Sequence, residues 1–388
     1  MNNRIEQLDS LRGLAALAVV LSHIPYFAFS LPYIVYRVLV WLGFNDGHSS
    51  VMLFFLLSGF VLTIPFLKRD RIYYFPYVTK RFFRIYAPYL FAIIFAIILS
   101  QTFLNREVST IGDWNLLWNT SISAQLITDH LLFLGNYHTN AFNGVIWSLT
   151  HELRISLIFP FIVLLIKRFN WKFIILICVI LSCTSELNTI YSFQESIGYN
   201  TDYFKTLQYT SFFMFGSLIA KHKKDLVGLY KKRHILFKCT LLFVSLCLFK
   251  FSSFCLYYLY EITGVELLST HFNAIAEYGV AIGCTGIVIS AISSVRLGKI
   301  LLLKPLLFLG KISYSLYLLH LPIILSCIYL FKEVIPLWSI SIIAIFLSFC
   351  ISTIAWKLIE KPSQKVGRNL AKMIGKKKFV FSLKKKAV

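Results

Sequence analysis

The chain repeats one feature along its length: a run of roughly 20 apolar residues, then a polar connection. Lipid offers no hydrogen bonds, so a segment of this kind must satisfy its backbone internally as a helix. The runs predict spans at 11–29, 50–67, 85–104, 143–166, 172–187, 204–220, 236–259, 275–295, 313–331 and 337–359. A further apolar run at 31–44 is interrupted by Pro32 and Arg37 and reads as an interfacial or re-entrant piece. Composition agrees, with 57% hydrophobic and only 14% charged residues against about a quarter charged in soluble domains.

The connections alternate in charge. Those at 68–84, 167–172, 221–238 and 296–311 are rich in Lys and Arg, among them Lys68, Lys80, Lys221 and Lys304. The intervening segments carry Arg37, Arg106 or Lys332 alone, and 185–203 and 260–274 carry no Lys or Arg. Basic loops stay on the cytoplasmic side. The expected architecture is an all-α integral membrane bundle of about ten transmembrane helices, both termini cytoplasmic. The net charge of +22 is then an orientation signal and argues against nucleic acid as a partner. Residues 1–365 read as one membrane domain and 366–388 as a basic tail against the anionic inner leaflet. Trp114, Trp118 and the amphipathic run 126–134 read as a loop lying on the outer surface. The eight cysteines form no CxxC pair and read as buried reduced thiols. No cleavable signal peptide is expected, because no small-residue site follows the first run.

Ionisable groups inside such spans are costly and point to function. Arg12 and His23 are eleven residues apart on the first span, on one face and about 16 Å apart. Arg81 and Arg84, at i and i+3 where the third span begins, make a patch suited to phosphate. Trp147, Ser148, Glu152 and Arg154 cluster near the start of the fourth span. His151 there makes no HExxH zinc signature, since position 155 is Ile, and no metal is expected. Glu152 could orient an imidazole or bind a sugar hydroxyl. Ser313 to His320, with Tyr314 and Tyr317, lies on the ninth span, and Glu360-Lys361-Pro362 ends the tenth.

In order, these residues resemble acyltransferase family 3, the bacterial membrane O-acyltransferases. Leu8-Asp9-Ser10-Leu11-Arg12-Gly13 followed by His23 is similar to that family's Arg/Lys-x10-His motif, and Arg81-x-x-Arg84 to its RxxR motif. Phe54 to Phe60, Trp147-Ser148-Leu149 through Glu152, Ser313 to His320, and Ile359 to Pro362 are similar to its remaining elements. The likeness runs from about residue 5 to 365.

The resemblance implies transfer of an acyl group, most often acetyl, from cytoplasmic acyl-CoA to a sugar hydroxyl. Acceptors are exopolysaccharide, lipopolysaccharide or lipid-linked glycan, and the site is the bacterial inner membrane. It implies His23 as the essential histidine and Arg12, Arg81 and Arg84 on the donor side. Asp9, Trp147, Ser148, Tyr314 and His320 would support. Where some members place a carboxylate one turn after the histidine, this chain has Phe27, and Glu152 is the substitute. No fused extracytoplasmic domain is expected, so a distant acceptor would need polysaccharide-assembly partners. Gly279-x-x-x-Gly283 permits close packing, either within the chain or in a homo-oligomer. The alternative from the residues alone is a transporter or flippase with His23, Glu152 and His320 as a relay. The lack of an internal repeat or broken-helix pair opposes it.

Overall fold

The structure, a computed structural model, describes residues 5–24, 34, 35, 38, 46–68, 71–103, 118, 120–375 and 380–382. The run expected at 31–44 falls almost wholly outside these, as do Phe27, Arg37, Arg69, Arg106 and Trp114.

The helices are α1 (Glu6–Ser22), α2 (Gly47–Leu67), α3 (Tyr74–Thr102), α4 (Ala124–Leu132), α5 (Trp147–Arg168), α6 (Trp171–Tyr191) and α7 (Tyr203–Lys221). They continue with α8 (Lys223–Lys232), α9 (Ile235–Thr263), α10 (Glu266–Thr270), α11 (Phe272–Ser293), α12 (Val295–Leu301), α13 (Lys304–Phe331), α14 (Leu337–Ala355) and α15 (Lys361–Ile374). The chain is an all-α multi-pass membrane protein. Among the described residues eight helices are long and apolar enough to cross a bilayer. The other two expected spans are present as helices: α1 has 17 described residues, and α7 carries many polar side chains in its 19. One feature is not helical. β1 (Arg71–Tyr73) pairs antiparallel with β2 (Val380–Ser382), Arg71 opposite Ser382. α15 runs through position 366 and packs on α3.

Two of the basic connections do structural work besides orienting the chain. Lys221 Nζ donates to the carbonyls of Ile166 and Phe169 at 2.6 and 2.7 Å, and Lys167 Nζ to that of Phe66 at 3.3 Å. Each ammonium thus satisfies carbonyls at a helix C-terminus, where the helix dipole favours positive charge.

Helix α13 is the central element: 78% of its most apolar stretch is buried, against 17% for α9, which presents its length to the surroundings. Close packing rests on glycine pairs. A Cβ on Gly59 would strike the Phe213 carbonyl, and one on Gly216 the Leu56 carbonyl, so α2 and α7 meet backbone to backbone. Likewise a Cβ on Gly13 would lie 2.6 Å from the Gly310 nitrogen, and one on Gly310 would strike the Asp9 carbonyl. That second contact sets α1 against α13. Gly279 and Gly283 pack α11 onto Ser252 and Phe249 of α9, so this motif serves an intramolecular interface.

Two surface expectations change. Trp118, in the segment between α3 and α5, is 2% exposed, stacked with Phe103 and Tyr329 and donating to the Phe142 carbonyl. That segment's helix α4 is tied down by Tyr86 and Tyr89, whose hydroxyls donate to the carbonyls of Leu131 and His130. All eight cysteines are free, but only Cys178, Cys284 and Cys327 are buried. Cys183, Cys239, Cys255 and Cys350 are exposed on helix surfaces, where an apolar thiol needs no cover from protein in lipid.

Candidate functional site

The Gly13–Gly310 contact has a counterpart further along the same helices. His23 lies ten residues beyond Gly13 and His320 ten beyond Gly310, each followed after one residue by proline. Although no repeat of whole segments exists, this short Gly-x9-His-x-Pro pattern recurs and places the two imidazoles together. His320 Nε2 is 3.3 Å from His23 Nδ1, with ring centroids 5.0 Å apart. Each ring is pinned to its own helix in the same way. His23 Nδ1 lies 2.7 Å from the Val19 carbonyl and His320 Nδ1 3.1 Å from the Leu316 carbonyl. A carbonyl only accepts, so each Nδ1 carries hydrogen, and the neutral rings keep their lone pairs on Nε2. The Nε2 lone pair of His320 is directed at His23. His320 is fully buried.

A cavity opens further along the same two helices, lined by neither histidine; Tyr317, whose ring centroid is 6.1 Å from that of His320, joins its wall to the pair. Arg12 of α1, Arg84 of α3, Glu152 and Ser148 of α5, and Tyr314 and Tyr317 of α13 give it polar walls. Phe54, Phe55 and Val51 of α2 give it an apolar side. Asp9 stands one turn before Arg12 on α1. Tyr314 donates to the Ile85 carbonyl at 2.9 Å. Tyr317 donates to the Val145 carbonyl at 2.8 Å and meets Ser148 Oγ at 2.7 Å. The entry to α5 is held against α13 by Asn143, whose amide donates to the Leu318 carbonyl at 2.8 Å.

The two arginines of the RxxR pattern part company. Arg84 lines the cavity. Arg81 is 6% exposed: its Nη2 is 2.7 Å from Glu152 Oε1, and its Nε and Nη2 also donate to Ser156 Oγ. The cavity residues therefore include Arg12 and Arg84 but not Arg81, which neutralises and fixes the carboxylate. Glu152, expected to orient His23, turns its Oε1 to Arg81 and to Ser58 at 3.4 Å instead. Ser315 donates to Glu360 Oε2 at 2.7 Å, so the two closing motifs meet. Arg154 has a structural task, donating to the carbonyls of Leu134, Gly135 and Thr201 and clasping the connections that lead into α5 and α7.

Several groups escaped the sequence reading. Ser58 and Ser156, which complete the Arg81–Glu152 cluster, look like ordinary small residues in apolar runs. His48 and Glu277 carried a readable signal: Glu277 is a lone carboxylate inside an apolar run. Trp147 stacks on His48 with centroids 5.8 Å apart and an interplanar angle of 12°.

A site of this composition suits a phosphorylated, flexible donor. Two guanidiniums can clamp phosphates, and an arm of about 16 Å covers the distance from Arg12 to His23 along α1.

A family model described as an acyltransferase domain matches residues 5–357. Among curated proteins, the chain is similar to the O-acetyltransferases OatA of Staphylococcus aureus strains MRSA252 and NCTC 8325 / PS 47. Each is 27% identical over 399 residues, covering 97% of this chain and 60% of the relative. The chain thus spans 60% of the length of these relatives. No solved structure matches.

Proposed function

On the premise that the chain belongs to the acyltransferase family, we propose that it is a membrane-bound O-acyltransferase. It moves an acyl group, acetyl by preference, from acyl-CoA to a sugar hydroxyl of a surface polysaccharide or lipid-linked glycan, in the bacterial cytoplasmic membrane. The relatives' name, O-acetyltransferase, supports the acetyl group. The observation that carries the reading is the imidazole of His23, held against Val19 and His320 on the same two helices, α1 and α13, that carry Arg12, Tyr314 and Tyr317 into the cavity facing Arg84.

The chemistry follows from the tautomer. With hydrogen on Nδ1, His23 has a basic Nε2. The acceptor hydroxyl gives its proton to that nitrogen while its oxygen forms a bond to the thioester carbonyl carbon. The carbon–sulfur bond then breaks, and the imidazolium returns its proton to the departing thiolate. During the step the imidazolium is stabilised through Nδ1–H by the Val19 carbonyl and by the lone pair of His320. His320 thereby takes the orienting part expected of Glu152. General-base assistance of this kind contributes about 10²–10⁴-fold. Arg12 and Arg84 hold the phosphates of the donor. Arg81 holds Glu152 in place by its ion pair, and Arg12 and Arg84 give the cavity its positive side.

The direct test is mass spectrometry of surface glycans from cells with and without the protein. O-acyl groups present only in the former support the proposal. Identical glycans in both would dismiss it.

A further inference from the structure

A second chain of polar side chains, buried at Glu277, Gln208 and Ser185 and partly exposed at His48, joins helices that wall the cavity, and the mechanism above uses none of its members. His48, in the first turn of α2, places Nε2 2.7 Å from Glu277 Oε1 of α11. The other oxygen, Glu277 Oε2, accepts from Gln208 Nε2 of α7 at 2.5 Å. Gln208 Oε1 in turn accepts from Lys205 Nζ at 3.1 Å and from Ser185 Oγ of α6 at 2.9 Å. Glu277, Gln208 and Ser185 are 7%, 0% and 1% exposed, so the cluster is built into the protein interior. A buried carboxylate is costly unless paired and hydrogen-bonded. Both oxygens of Glu277 are engaged, which fixes its direction and that of the imidazole. From α5, Trp147 stacks flat on the same ring.

One atom is left over. His48 Nδ1 is buried, and among the described residues it has no hydrogen-bond partner. The Glu277 oxygen only accepts, so Nε2 carries a hydrogen, and whenever the ring is neutral its lone pair is on Nδ1. Leaving such a nitrogen unsatisfied costs about 1–3 kcal/mol, and an orphan of this kind calls for a missing partner.

Its position suggests which partner. His48, Val51 and Phe55 stand at i, i+3 and i+7, on one face of α2, and the latter two line the cavity. Trp147 is followed by Ser148, another cavity residue. His48 stands at the end of α2 away from the basic connection that opens at Lys68. Arg84 lies toward the other end, on the helix that follows that connection.

We propose that His48 is the acceptor-binding group. Its Nδ1 receives the hydrogen bond of a hydroxyl on a glycan that enters from the face opposite the basic loops. Glu277 and Gln208 are positioning residues that hold the ring. The inference rests on the acyltransferase reading and adds to it a site for the second substrate.

The test uses the full-length protein in detergent, acetyl-CoA, and cell-wall glycan released by muramidase as the probe. His48→Ala should leave acceptor-free thioester hydrolysis and the KM for acetyl-CoA within about twofold, while raising the KM for glycan about tenfold or more. Glu277→Ala should raise the same constant, and the double variant should go no further than His48→Ala alone. Should His48→Ala fail to fold, His48→Lys keeps an N–H donor for Glu277, carries no acceptor, and reads the same constant. An unchanged glycan KM, or glycan and acetyl-CoA constants rising together, would overturn the assignment. Absence of any thioester use by the unaltered protein would instead remove the acyltransferase reading beneath it.

Discussion

His320 Nε2 stands 3.3 Å from His23 Nδ1, although 297 residues separate them in the chain. The contact is the far end of a parallel helix pair whose near end is Gly13 on Gly310. One imidazole is thus the electrostatic partner of the other, a role that a carboxylate fills in many base-dependent enzymes.

His320→Ala should therefore lower kcat by about tenfold or more while leaving the KM for acyl-CoA near its original value, because His320 touches His23 and not the donor arginines. His320→Gln, which retains a side-chain acceptor, should recover part of the loss. Steady-state kinetics on purified protein decides the matter. A raised donor KM with unchanged kcat would show that His320 works elsewhere.

The glycine contact is open to a separate test. Gly310→Ala adds a methyl group where the Asp9 carbonyl already stands, and the backbone of α1 cannot yield as a flexible side chain would. The expected cost is about 1–3 kcal/mol of stability, together with loss of activity as the histidines part. Thermal unfolding followed alongside turnover would show both. A variant as stable and active as the original would mean that the helices need not touch here.

Arg81 and Arg84, three residues apart, should behave differently. Arg84→Ala is expected to raise the KM for acyl-CoA, since Arg84 lines the cavity. Arg81→Ala strands the Glu152 carboxylate and should destabilise the protein by about 3–5 kcal/mol. Replacing both Arg81 and Glu152 by neutral residues should restore much of that stability. Unfolding midpoints and donor titrations of the single and double variants distinguish the two roles, and equal behaviour of both arginines would refute the division.

How far the residues foretold this arrangement depends on the kind of signal they carry. Arg12, His23 and Arg84 were legible because charge and imidazole are expensive in a lipid-spanning run. The helices were legible for the same reason, since length and hydropathy leave little choice in lipid. Pairings between helices were not. Nothing in the spacing of Arg81 shows that Glu152 will meet it, and His320 alone resembles any core histidine until α1 is laid alongside α13. Trp118 carries the same ambiguity, since an interfacial anchor and a buried ring look alike in sequence. Glu277 was available to a reader who asked why one carboxylate interrupts an apolar run, but its partners His48 and Gln208 come from other helices.

The closing motifs make a smaller point. Ser315 donates to Glu360, and Gln364 reaches the other oxygen at 3.1 Å. Glu360→Ala should loosen α15 from the bundle, seen as faster proteolysis after Lys361 or Lys365. Unaltered cleavage would show that the α3 contact alone holds the helix.

The central claim is that the imidazole of His23 takes the acceptor's proton. The most direct measurement compares the original protein and His23→Ala in detergent, following thioester consumption and acylated glycan together, with donor binding measured in parallel. The expected result is loss of both activities by about 10²-fold or more, with acyl-CoA still bound at a similar Kd. Glycan acylation by His23→Ala at the original rate would contradict it.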